Sequence, residues 1–404
     1  MIIQLAWRNI WRNKVRSMVI MLSVSIGLFA GIAVLALYKG MMQSRIRTVI
    51  YFEVTHIQIH QKEFKKDYEP FYTLPGGDSM AAVIGALKQV KLVARRTIVQ
   101  GMLSTTTGSA GVQINGVEPA IEYQASQLDK KIITGSSFHS NKKNEILIGK
   151  KLADKVKLAT GAKLVLTFTD TAGNIVSSAF RVAGIYESQN TSLDEVNVYV
   201  EMKTLNDLLL TGKSFHEIGM LLNNDDDLAS VQQQLKYLFP SYLIESWKEI
   251  SPETDLMVKT VDEYSYIIMI IILIALAFGI INTMLMAILE RTREIGMMVA
   301  LGTTRLRVFL LVLFETIFLT IGGTPLGILA GLFTTNYYNK HGLDLSGMGK
   351  EMMASFGFNT IIYPSFPVEK LLAIMLLVIG TAVLSCLLPA FKALRMQPVE
   401  ALRR

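Results

Sequence analysis

Two histidines four residues apart, His56 and His60, are the first residues in this 404-residue chain whose types suggest a metal. They sit in the strand-like segment Val54–Ile59 and just beyond it, which puts both on one face but about 13 Å apart at ~3.3 Å per residue. That is too far for one ion, and no cysteine or carboxylate pattern completes a ligand set. The run Asp225–Asp227 lacks the glycine and glutamate of a calcium loop and reads as a solvated helix start capped by Asp227. The single cysteine, Cys386, lies in an apolar run, so no intrachain disulfide is expected. A phosphate-cradling loop would read G-x-x-x-x-G-K-[ST]. The nearest approach, Gly342–Gly347, is followed by Met348 where the lysine belongs. No nucleophile, base or metal set converges, so the chain is expected to be no enzyme and to hold no cofactor or metal of its own. What stands out instead is the charged run Glu290, Arg291, Arg293 and Glu294, and two polar residues, Asn282 and Glu315, inside long apolar stretches.

Those stretches explain the composition, which is 51% hydrophobic and only 18% charged. The net charge of +7 is distributed unevenly. Residues 1–38 carry four basic and no acidic side chains, residues 39–262 carry 25 of each sign, and residues 263–404 carry 11 basic and eight acidic ones. The basic excess therefore belongs to apolar flanks and not to a folded polar surface, which excludes a nucleic-acid binder. Four segments, Met18–Leu37, Tyr266–Leu289, Phe309–Phe333 and Val368–Leu388, reach the roughly 20 residues that a helix needs to cross a hydrocarbon core about 30 Å thick. The first exceeds a signal-peptide core and is followed by no clear cleavage site, so it is expected to be retained. An ionisable group inside such a span, here Glu315, is a functional candidate, although pairing with a nearby arginine is the commoner role. Asn282 is expected to form an interhelical hydrogen bond.

Basic residues in short loops set the orientation. Arg8, Arg12, Lys14 and Arg16 precede the first span. Arg291, Arg293, Arg305 and Arg307 lie between the second and third, and Lys392, Arg395, Arg403 and Arg404 follow the fourth. These alternate so that both termini are cytoplasmic and residues 39–262 lie outside. Residues 1–17 read as a cytoplasmic interfacial helix, with Ile3, Trp7, Ile10 and Trp11 on one face and Arg8, Asn9, Arg12, Asn13 and Arg16 on the other. The first transmembrane helix follows over 18–38. Residues 39–262 change to short alternating segments. Strands are expected at Val54–Ile59, Glu145–Gly149, Asn197–Val200 and Glu217–Leu222, and a hairpin joins Leu164–Thr169 to Ala179–Ile185 through Asp170-Thr-Ala-Gly-Asn174. Helices are expected over Ala81–Val90, Lys150–Leu158 and Leu228–Phe239. The fold class is thus an α-helical membrane protein with four transmembrane helices and a large extracytoplasmic α+β domain inserted between helices 1 and 2.

After the second span, Ile295, Met298, Val299 and Gly302 fall at helical spacing, with Glu290, Arg291 and Glu294 elsewhere on the wheel. Such a helix either lies along the inner surface or docks into a cytoplasmic partner's groove. Glycines Gly27 and Gly31 in the first span, and Gly323, Gly327 and Gly331 in the third, offer small-residue faces for close helix packing, within the chain or between chains. Pro325 in that run is expected to kink the helix.

The segment Glu290-Arg-Thr-Arg-Glu-Ile-Gly296 with Ala300-Leu-Gly302 resembles the signature of FtsX/MacB-type ABC-transporter permeases. Gly322-Gly-Thr-Pro-Leu-Gly327, the ending Gln397-Pro-Val-Glu-Ala-Leu402 and the opening Leu5-Ala-Trp-Arg-Asn-Ile-Trp-Arg-Asn-Lys14 are similar to that family. So are Glu145-Ile-Leu-Ile-Gly149 and Val182-Ala-Gly-Ile185 in the outer domain. The layout looks most like the Lol-type lipoprotein-releasing subunits of the bacterial inner membrane. The resemblance implies an FtsX-like permease domain over 263–404, a separate ABC ATPase dimer, and a second permease copy or paralogue. It also implies ATPase contact through Glu290, Arg291, Arg293, Glu294, Ile295, Gly296, Met298, Val299 and Gly302. Lipoprotein cargo and a periplasmic carrier would follow, with one departure: the hairpin at Asp170–Asn174 is short, where a carrier-binding member of that group extends a hook. MacB-like export of another substrate and FtsX-like activation of cell-wall hydrolases are the alternatives.

Overall fold

The computed structural model describes residues 2–12, 14–138, 144–188 and 190–394. Asn13 of the interfacial helix, and Arg395, Arg403, Arg404 and the Gln397–Leu402 motif of the tail, lie outside the described residues. The chain divides into two compact units.

The first unit comprises 1–42, 258–344 and 361–404 and is helical. Its helices are α1 (Ile2–Arg12), α2 (Lys14–Thr48), α3 (Pro252–Glu290), α4 (Thr292–Ala300), α5 (Arg305–His341) and α6 (Leu371–Leu394). Four of them are long and apolar enough to cross a membrane. Val24, Leu28, Leu273, Ile280, Val312 and Val378 meet in the common core of this bundle. The glycines decide how closely its helices approach. A Cβ on Gly323 would sit 2.5 Å from the Met21 carbonyl oxygen, and one on Gly327 would sit 2.6 Å from that of Ser25. Any side chain there would force α5 off α2. The Ser25 hydroxyl fastens the contact by donating to the Gly323 carbonyl at 2.7 Å. Gly27 and Gly31 use a different neighbour, facing Leu276 and Met269 of α3. All five small-residue positions therefore pack within this chain. Pro325 lies inside α5, which runs uninterrupted across it, and the Thr316, Thr320 and Thr324 hydroxyls each donate to the carbonyl four residues earlier.

The second unit, 43–257 with 345–360, is built on ten strands. These are β1 (Ile57–Gln61), β2 (Val90–Ser104), β3 (Ser109–Val117), β4 (Ile132–Gly135), β5 (Glu145–Gly149), β6 (Lys163–Thr169), β7 (Ile175–Tyr186), β8 (Asn197–Glu201), β9 (Glu217–Leu222) and β10 (Tyr242–Ser246). The 15-residue β2 belongs to two lobes. Its first half pairs with β9, which continues to β1 and β10 as an antiparallel sheet. Its second half enters a closed ring in which β2, β3, β8, β5, β7 and β6 pair in turn and β6 returns to β2. Closure leaves the six ring strands without a free edge, and β4 adds to β7 outside the ring as an edge strand. The alternating side chains Leu164, Leu166, Phe168 and Phe180 fill it against Ile114, Ile146 and Val198.

Some local expectations need correction. The helix read over Ala81–Val90 spans Gly77–Gly85, because Gly85 ends it and Val90 already pairs with Leu222 as β2. Asp227 stands at the N-cap position of the helix Leu228–Leu238, but its side chain makes no capping hydrogen bond. The Asn224 side chain accepts from the Asp226 amide one turn earlier, and the helix Leu228–Leu238 follows. His56 and His60 are both buried, each bonded to its own carboxylate, Asp225 at 2.8 Å and Glu217 at 3.0 Å.

Glu217 belongs to a buried chain of charge. Arg96 grips Glu122 through two bonds of 3.0 and 2.9 Å and donates to Glu217 at 2.9 Å. Burial alone would raise the Glu217 carboxyl, but the His60 hydrogen bond and the Arg96 charge outweigh it and bring it down to about 2. Its contribution to stability is therefore present above the ordinary carboxylate range and is lost as pH falls from there toward 2. Removing the cation strands two buried carboxylates. Arg96→Met should cost about 3–5 kcal/mol at neutral pH. That deficit should shrink toward pH 5 as the stranded carboxylates take up protons. Thermal unfolding of the full chain in detergent at both pH values is the measurement, and a pH-independent deficit would contradict the pairing.

Candidate functional site

The charged run singled out in the sequence falls at the junction of α3, α4 and α5. Arg291 breaks the helix, with φ −104° and ψ 14°, so that α3 ends at Glu290 and α4 restarts at Thr292. Gly302 stops α4 in turn. At φ 94° it donates to the Val299 carbonyl at 3.1 Å while Thr303 donates to that of Met298 at 3.0 Å, the paired closure that glycine permits at a helix end. Gly302 thus acts as a terminator, exposed beside the helix.

Which way α4 faces follows from its packing. Ile295 and Gly296 are buried, and Met298 and Val299 pack against the apolar core of the helical unit. The apolar face proposed for docking is therefore largely spent on the chain's own bundle. Arg293, Met297, Ala300 and Leu301 point outward, with Leu301 88% exposed.

The acids are held from the amino terminus. Arg12 forms an ion pair with Glu294, and Arg16 forms one with Glu290. Both pairs share a spacing of four, read in opposite directions, with the α1–α2 junction on the basic side and the Arg291 break on the acidic side. Arg291 reaches Glu294 at 3.2 Å and both oxygens of Glu315 at 3.3 Å. The Arg12 hydrogen bonds hold the Glu294 carboxyl below the usual carboxylate range against the opposing effect of partial burial, with Arg291 adding to them. Glu315 thus has an arginine partner in the chain, and that pair is buried, with side chains 13% and 10% exposed. Exposed members of such a ladder contribute under about 1 kcal/mol each, whereas losing one partner of a buried pair costs about 3–5 kcal/mol. A cavity of about 390 Å³ opens beside the ladder, bordered by Leu5, Asn9, Met284, Met298, Leu311 and Glu315. Trp7 of α1 packs edge-on against Phe318 of α5 at 5.7 Å. Ile10 is buried, while Ile3, Trp7 and Trp11 stay about half exposed.

Sequence reasoning left out Arg12 and Arg16 as partners of the acidic run, and Met297 and Leu301 as its outward apolar residues. The matching four-residue spacing of Arg12–Arg16 and Glu290–Glu294 was the available signal. Asn282 is a correction of another kind. Its side chain is exposed on α3, and among the described residues no hydrogen bond joins it to another helix.

The arrangement brings together no nucleophile and base. Its ion pairs tie α4 to the end of α1, and the end of α3 to the start of α2. Comparison with known proteins agrees with a transport role. The model for the MacB-like periplasmic core domain matches residues 17–238, and that for the FtsX-like permease C-terminal domain matches residues 266–398. The macrolide export ATP-binding/permease protein MacB of Escherichia coli K12 is 23% identical over 416 residues, covering 99% of this chain and 60% of the relative. Its Shigella flexneri counterpart gives the same figures. The chain thus spans 60% of the length of these curated relatives. Among solved structures, the periplasmic region of MacB from Actinobacillus actinomycetemcomitans is 13% identical with a TM-score of 0.35, covering 52% of this chain and 95% of that one. The extracellular domain of the transporter YknZ is 15% identical with a TM-score of 0.34, covering 47% and 99%. With more than half of its length matched by the first family model and most of the remainder by the second, the chain belongs to the MacB/FtsX-type ABC-transporter permeases.

Proposed function

We propose that this protein converts the motion of a separate ABC ATPase dimer into movement of an extracytoplasmic domain inserted between its first and second spans, and that it works beside a second permease copy or paralogue. Both termini lie in the cytoplasm in this reading, as the three basic segments require. The observation that carries the reading is the disposition of α4. One side is buried in the helical unit, the acids are clamped by Arg12 and Arg16, and Arg293, Met297 and Leu301 face outward. A helix anchored in this way passes a push from a docked ATPase to the first span without absorbing it by local rearrangement. Ile295, Met298 and Val299 anchor the lever, and the outward stripe is the contact. Release of lipoproteins from the inner membrane is the cargo reading that the four-span layout favours. MacB-like export of another substrate is the second reading, favoured by the curated relatives, which are named for macrolide export.

The orientation is tested by labelling. A cysteine at Asn174 should react with an impermeant thiol reagent in intact spheroplasts, and one at Thr303 should react only after permeabilisation. The reverse pattern would sink the topology. The contact is tested by Met297→Glu with Leu301→Glu, which alters exposed side chains and should leave folding near normal. Acidic groups forced into a desolvated interface should weaken ATPase co-purification at least tenfold, since ~1.4 kcal/mol is a factor of ten. Unchanged capture would remove α4 as the coupling element. Cargo is separated by depletion of the protein in its host. Processed lipoproteins accumulating in the inner membrane would support lipoprotein release, and raised macrolide sensitivity with normal lipoprotein sorting would select the export reading.

A further inference from the structure

The helix α2 does not run into the first strand as a plain α-helix. After Thr48 the chain continues as a π-helix over Val49–Val54, in which each amide reaches one residue further back than in an α-helix. Turns of this kind take up an extra residue and occur frequently at functional sites. The next residue, Thr55, has φ 67° and ψ 177°. That region is essentially confined to glycine, and a β-branched residue held there is strained. Thr55 is buried, and its hydroxyl donates to the Ile57 carbonyl at 3.1 Å. Gly219 leaves it room, since a Cβ at that position would lie 3.0 Å from the Thr55 Oγ1.

A buried ion pair depends on the same geometry. Arg45 of α2 donates to the two oxygens of Glu53 at 2.5 and 3.3 Å, and the side chains are only 7% and 10% exposed. The two residues are eight apart. In an unbroken α-helix that spacing turns them about 80° from each other and separates them by about 12 Å. With one residue taken up by the π turn they stand as if seven apart, about 20° from alignment. The pair and the π register therefore require each other. The Asn190 side chain adds a third member. Its amide donates to Glu53 at 2.8 Å, while its oxygen caps the helix Thr191–Val196 by accepting from the Ser192 and Leu193 amides. Arg45 also lies against the backbone of Gly357, where a Cβ would come within 2.6 Å of its Nη1.

We propose that Val49–Thr55 is a two-state register joint, latched by the Arg45–Glu53–Asn190 cluster. In the latched state the segment is π-helical and Thr55 is strained. Unlatched, it winds into the α register, returns its extra residue to the connection before β1, and lets Thr55 leave the positive-φ region. One register thus both strains Thr55 and makes the buried pair. These opposed terms are the condition for a segment with two discrete states. The inference goes beyond the ATPase reading and does not depend on it.

The test uses the full chain with Cys386→Ala, purified in detergent without any ATPase. Spin labels are placed at Arg47→Cys and Lys62→Cys, exposed positions on either side of the joint. The latched protein should give one dominant distance between the labels. Glu53→Gln keeps the shape of the side chain and removes its charge. It should bring up a second, discrete distance and raise the share of the second state at least tenfold, about 1.4 kcal/mol. Arg45→Met should do the same, so the test survives if either variant fails to fold. Thr55→Gly added to Glu53→Gln accepts the positive φ without strain and should return the ratio toward that of the parent. Hydrogen exchange on the unmodified chain needs no variant: the amides of 49–54 should exchange together, ahead of the preceding turns of α2. A distribution that stays single or merely broadens when the latch is cut would overturn the proposal. So would a ratio that Thr55→Gly leaves unchanged, or protection of 49–54 equal to that of the preceding turns.

Discussion

A hydrocarbon interior supplies no hydrogen bonds, so every polar group that enters it needs a partner brought by protein. The helical unit is organised by that constraint. Glycines at 323 and 327 let α5 approach α2 closely enough for Ser25 to donate to a backbone carbonyl across the contact. Threonines along α5 turn their hydroxyls back onto their own helix. Glu315, the acid in the third span, is reached by Arg291 from the break between α3 and α4.

The same break sets the short helix α4 apart. Arg291 ends one helix and starts the next, Gly302 closes α4 after nine residues, and the buried side of α4 leaves it little freedom to slide. The basic residues of the amino terminus then complete a ladder on the acids. Each exposed rung is weak. Together with the buried Arg291–Glu315 pair, they tie α1, α2, the end of α3, α4 and α5 to one another.

The strand-rich unit meets a different constraint, the need to finish its sheet edges. A single long strand, β2, resolves it by serving an open antiparallel sheet with one half and a closed ring with the other. The Arg96 cluster sits in the first half of β2, where Glu217 of β9 and Glu122 of the helix Pro119–Ser126 come together. Its charges are satisfied by each other.

Much of this was legible in the residues alone. Hydropathy determined the four membrane helices, since length and apolarity are local properties. Alternation with an Asp-Gly-Asn turn determined the hairpin β6–β7, and β9 is the segment Glu217–Leu222 read directly from its apolar run. The strands β2 and β3 escaped, because Arg95, Arg96 and the glycines at 101, 108, 111 and 116 interrupt the alternation that marks a strand. Those residues make sense only in three dimensions: Arg96 is neutralised by carboxylates from two other elements, and Gly101 lies under the Thr167 carbonyl of β6. The motif over 290–302 was visible, but its orientation was not. A helical wheel gives an apolar side without saying whether that side meets the chain's own core or a partner. Tertiary packing turned Ile295 inward and Leu301 outward, joined Glu294 to Arg12 across 282 positions of sequence, and left Asn282 exposed on α3. Local pattern determines which elements form, because it acts through the backbone and the nearest turns. Which polar groups find partners depends on distant segments arriving at the same place, and only the folded chain decides that.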